Sequence, residues 1–126
     1  MKYTINIIPK SEMRYDTAGD WRFDGQDRNI TVTVMDTGVD DYNFLLIVHE
    51  LIEAYLCYAE GISTEAVDTY DMNSNSDDPG DAPDCFYHSQ HSFAVGVERL
   101  LASTLGVDWA DYDQVLMQGD DEAVDY

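Results

Sequence analysis

The sequence predicts an α+β domain, with a small antiparallel sheet at the N-terminus and a helical remainder. Three observations carry that reading. β-Branched residues alternate with polar ones in the first third, apolar residues recur at three- and four-residue spacing after about position 42, and Gly and Pro punctuate the joins. With 126 residues the chain suits one domain.

The elements follow in order. Tyr3-Thr4-Ile5-Asn6-Ile7-Ile8 alternates and stops at Pro9, as a strand does. "RYDTAGDWRFDG" (14–25) places aromatics around Thr17-Ala18-Gly19-Asp20 and predicts a hairpin. "NITVTVMD" (29–36) is the clearest strand, ended by Asp36-Thr37-Gly38. Residues 42–60 place Leu45, Val48, Ile52, Tyr55, Leu56 and Ala59 on a helical repeat that Gly61 stops. A short helix over 63–70 takes Ser63 or Thr64 as its cap, and 71–84 reads as loop. From about 87 to 105, Phe93, Val97, Leu100, Leu101 and Leu105 form the apolar stripe of a second main helix, closed by Gly106. A last short helix, about 108–117, precedes an acidic tail at 118–126. The division is thus strands over 1–36 and helices over 42–117 in a single domain.

Composition narrows the function classes. A hydrophobic content of 44% with 15 aromatics supports a core, so the acidity does not mean disorder. The formal charge is −20. Residues 1–28 hold five bases and five acids, whereas Arg99 is the single base against 21 acids beyond them. Such a field repels nucleic acid and anionic membrane and attracts cations or a basic protein partner. Adaptation to high salt and mimicry of a nucleic acid both accommodate it. Cys57 and Cys85 form no CxxC pair. No signal sequence or membrane-length apolar run is seen, so the expected setting is the cytoplasm.

The chemistry concentrates in "HELIE", residues 49–53. Residues four apart on a helix share a face about 6 Å apart along the axis, so His49 and Glu53 can hold one ion together. Glu50 stands about 100° round, where a general base belongs. The stripe His49, Glu50, Glu53, Cys57, Glu60 lies opposite Val48, Ile52, Tyr55 and Ala59, which predicts an acidic face turned away from the main core. Cys57 is two turns from His49 and is read as a buried thiol.

"CFYHSQHSF" (85–93) holds the other two histidines, His88 and His91. One of them completes a His₂Glu shell with His49 and Glu53, the composition of known zinc endopeptidase sites. His91 lies further inside its helix, with Glu98 continuing its face, and is the expected ligand. His88 is left as an alternative ligand, a proton donor towards substrate, a supporting group or an exposed residue. Asp68 and Asp71 are candidates to orient a histidine as supporting carboxylates. Asp71, Asn73, Asn75 and Asp77 resemble the start of a calcium loop, but Ser76 replaces its glycine and Ala82 its bidentate Glu, so any Ca²⁺ binding is weak.

"HELIEAYLC", "AVDTYDM" and "PGDAPDCFYHSQHSFAVGVERLLASTLGVDW" together resemble a group of small phage and prophage proteins with an H-E-x-x-E helix. The similarity runs from "YDTAGDW" to "GVDWADY". It implies a minimal zincin-like metallopeptidase fold, with His49, Glu53 and His91 as metal ligands and Glu50 as base. Glu53 stands where true zincins have a second histidine, and no Met-turn signature follows.

The expected function is a zinc-dependent hydrolase, most simply a peptidase, with one Zn per chain and a peptide or protein substrate. The strand 29–36, ahead of the site helix, is expected to bind an extended peptide by strand addition. The alternatives are a non-catalytic metal-stabilised phage protein, an acidic mimic that binds a basic host protein, and a di-metal nucleotide hydrolase using Glu50, Glu53, Glu98 and histidines.

Overall fold

The computed structural model describes residues 1–75 and 78–125, with side chains to 117. Three strands precede four helices: β1 (Lys2–Ile8), β2 (Gly19–Asp24), β3 (Asn29–Met35), α1 (Asp40–Ala59), α2 (Thr64–Asn73), α3 (His88–Leu105) and α4 (Trp109–Asp125). The architecture is α+β. α2 begins where Ser63 accepts a hydrogen bond from the Ala66 N–H, an N-cap of the usual kind. α3 ends at Gly106, whose φ of 73° closes the helix in the left-handed region. α4 continues past 117, into the segment read as a tail. Among the described residues no helix is long and apolar enough to cross a membrane.

The sheet corrects the expected antiparallel arrangement. Its order is β1-β3-β2, with β1 parallel to β3 and β2 antiparallel to it. No hairpin forms over 14–25. The turn lies instead at 25–28, where Arg28 takes a positive φ of 50°, and residues 9–18 carry the chain from one edge of the sheet to the other. β3 is central because its alternate residues Ile30, Val32 and Val34 are fully buried beneath α1, and a strand so apolar gains most when both of its edges are paired. Both neighbours of β3 are therefore occupied, and the peptide-adding edge expected at 29–36 does not exist.

The helices correct a second expectation. α1 buries Leu45, Leu46, His49, Glu53, Ala54 and Cys57 and leaves Tyr55 exposed. α3 buries His91, Ala94, Glu98 and Ala102, while Phe93, Leu100 and Leu105 face outward, Leu100 at 70% exposure. The polar stripes thus face each other inside the protein, and much of the apolar stripe lies outside. Periodicity locates two faces but not which one is buried. Here the polar faces bury because their groups pair with one another, which removes most of the desolvation cost. Ala94 and Ala102 allow the close approach of the two helices.

Leu45 has no exposed surface and lies under the sheet. Leu45→Ala is expected to destabilise the fold by about 3 kcal/mol through lost burial and the cavity left behind, read as a lower urea midpoint at unchanged slope.

Candidate metal centre

His49 and Glu53, four residues apart on α1, meet His91 from the first turn of α3. One donor atom from each lies within 4.8 Å of the others, and the three residues are 7%, 5% and 7% exposed. Glu53 Oε2 is shared, 3.1 Å from His49 Nε2 and 2.8 Å from His91 Nδ1. Donors around a tetrahedral zinc stand about 3.3 Å apart, given bonds of about 2.0–2.1 Å; the two Glu53 contacts are close to that spacing, and the whole set lies within 4.8 Å.

Each donor is held from behind. His49 Nδ1–H donates to Glu98 Oε1 at 2.6 Å, and Glu98 in turn accepts from the Tyr112 hydroxyl of α4. His91 Nε2 lies 3.0 Å from Asp78 Oδ1. Trp21 Nε1–H of β2 donates to Glu53 Oε1 at 3.1 Å, leaving Oε2 to the histidines. The pattern in which the outer nitrogen of a ligating histidine meets a carboxylate is the one that fixes tautomer and ring orientation at metal sites. Gly80 backs His91 closely: a Cβ there would stand 2.5 Å from His91 Cγ.

Glu50 occupies the same cleft, with Oε2 3.8 Å from His49 Nε2. Its side chain rests on Gly19 at the start of β2, where a Cβ would come within 2.8 Å of Glu50 Cγ. Burial, reinforced by the charge of Glu53, holds the Glu50 carboxyl well above the usual range. The cleft encloses 360 Å³ and carries Asp16, Asp71, Asp78, Asp81 and Asp113 along its walls beside the four site groups.

The remaining candidates do not join the cluster. His88 bonds to the Gly80 carbonyl at 3.0 Å and to Ser92 at 3.2 Å, outside the cluster. Asp68 does not orient a histidine; it pairs with Arg14, which also grips Asp20 with two bonds. Asp71 accepts from the Tyr15 and Tyr87 hydroxyls. It lies with Asn73 in the last turn of α2, so no calcium-type loop forms there; Ser76 and Asp77 are outside the described residues. Burial pushes the Cys57 thiol up to about 12, which suits an inert core thiol. Sequence reasoning missed Trp21, Asp78, Gly80 and Tyr112. Their contacts span 11 to 32 positions of chain, and only an acid-rich loop ahead of "YHSQH" hinted at one of them.

No protein-family model matches the chain, and no curated protein or solved structure matches it. The case for the site rests on its geometry.

Without an ion, both nitrogens of each ring face carboxylates, so both carry protons. Burial opposes the charged ring of His91, but Asp78 and Glu53 outweigh it and raise the group to about 9. His49 is raised for the same reason, against burial, by Glu53 and Glu98. Burial would raise Glu53, yet hydrogen bonds from the two rings hold it down to about 2. A raised histidine contributes stability that is complete below its unfolded value of about 6.5 and is lost as pH climbs through the folded value. In the presence of a chelator the melting temperature is therefore expected to fall between about pH 6.5 and about pH 9. Saturating zinc, which takes the deprotonated rings, should remove that fall. Thermal denaturation across this range with and without zinc measures both.

Proposed function

We propose that the chain is a zinc-dependent hydrolase acting on an amide bond, most simply a peptidase. The observation that carries the reading is the convergence of His49 Nε2, Glu53 Oε2 and His91 Nδ1 on one point, each ligand anchored on its far side. Three protein donors leave a tetrahedral ion one open position, the arrangement of catalytic rather than structural zinc. Zinc held by His49, Glu53 and His91 would supply a Lewis acid and would lower the pKa of a bound water to about 7.

Glu50 supports the catalytic role. It is next to the cluster but not part of it, with Oε2 3.8 Å from His49 Nε2, where a carboxylate could take a proton from a metal-bound water and return it to a leaving nitrogen. The substrate would lie in the cleft between residues 16–19 and α3, since strand addition to β3 is closed. The acids of the cleft wall favour peptides with basic side chains beside the scissile bond.

One observation favours a second reading. The three donors are almost fully buried, as in sites where a metal only fastens helices together, here α1 to α3. Protein purified without chelators should contain about one zinc per chain, and His49→Ala or His91→Ala should lose it. Glu50→Gln should keep the metal and slow cleavage of an unstructured protein such as casein by about 10²–10⁴-fold. Folded wild-type protein without any ion overturns both readings. A loaded wild type that cleaves nothing, or a Glu50→Gln variant as active as wild type, removes the catalytic assignment.

A further inference from the structure

The strand β1 is built as if its sheet continued. Its register with β3 pairs Tyr3 with Ile30, Ile5 with Val32 and Ile7 with Val34. Paired residues in neighbouring strands share a face, so Tyr3, Ile5 and Ile7 lie on the face that elsewhere forms the core. Ile30, Val32 and Val34 have no exposed surface, because α1 packs over β3 and β2. The three β1 residues extend past that cover. They are 41–48% exposed, as are Val39 and Phe44. Val39 lies in the turn after β3, where the Asp36 N–H donates to the Ile8 carbonyl at 2.7 Å, and Phe44 lies near the start of α1. The outer edge of β1 has no strand partner among the described residues. An apolar edge strand of seven residues that lacks a proline, a bulge or a central charge is a template for pairing.

We propose that this edge is the interface of a homodimer, in which β1 pairs antiparallel with β1 of a second copy about a two-fold axis through Ile5. The two sheets become one of six strands. Tyr3 stands opposite the partner's Ile7, Thr4 opposite the partner's Asn6, and Ile5 opposite the partner's Ile5. A second copy satisfies three observations together. It gives the unpaired edge of β1 a backbone partner and sets the uncovered row of Tyr3, Ile5 and Ile7 beside the same row of the second copy. The charge is placed for it: β1 has no acid and one base, Lys2, in a chain of net charge −20. The same register sets Lys2 opposite the partner's Ile8, and therefore near the partner's Asp36. The pairing is self-complementary, as a two-fold interface must be. It is independent of the metal cluster, which opens beside β2 at the other edge.

Sedimentation equilibrium of the full chain at about 10–100 μM tests this, a range that detects a dimer of micromolar affinity. The wild type should be dimeric, and more strongly so as NaCl rises from about 0.05 to about 0.5 M, because screening relieves the repulsion between two acidic copies. Ile5→Lys sets two like charges opposite each other on the axis and should weaken the dimer at least about 100-fold with an unchanged far-UV spectrum. Ile7→Asp serves if that variant does not fold. Leu100→Lys, on the outer face of α3, should leave the dimer intact. A monomeric wild type throughout the range, a larger assembly, an Ile5→Lys or Ile7→Asp variant that stays dimeric, or dissociation by Leu100→Lys would each overturn the proposal.

Discussion

The carboxylate of Glu53 is the point on which the arrangement depends. One oxygen receives the indole N–H of Trp21 from the sheet, and the other is shared by the rings of His49 on α1 and His91 on α3. A single buried acid thus joins the three elements that define the cleft. A charge at this depth is tolerable only when fully paired, and the pairing extends outward through Glu98 to Tyr112 and through His91 to Asp78. The cost of leaving any member unpaired holds the ring planes and the separation of the helices in place, which is also what a metal site requires of its ligands.

The same network explains why the helices are oriented as they are. Most of α1 and α3 could bury an apolar stripe, and Phe93 and Leu100 show that the opportunity was not taken. Turning the histidines and glutamates inward brings two imidazoles and their carboxylates into register, while the small Ala94 and Ala102 let the backbones close. The outward apolar residues are the consequence. They add to the surface available for contacts between molecules, of which the uncovered row on β1 is the part with a geometry suited to a defined partner.

Charge distribution and fold divide the protein along the same line. The neutral N-terminal third forms the sheet, and the acidic remainder forms the helices and much of the cleft wall. A divalent cation would find a strongly negative cleft with three oriented donors at its floor.

The α+β class, the helix over "HELIE", the cap at Ser63 and the stop at Gly106 were legible in the sequence, because each depends on local spacing or on backbone conformations that few residues adopt. His49 and Glu53 could be placed on one face for the same reason, since helix geometry relates residues four apart without reference to the rest of the chain. Tertiary structure alone decided the parallel pairing of β1 with β3, the burial of the polar stripes, and the support of the cluster by Trp21, Asp78, Gly80 and Tyr112. Those outcomes follow from which partners satisfy a buried charge and which edges a central strand must pair, and both depend on contacts between residues far apart in the chain.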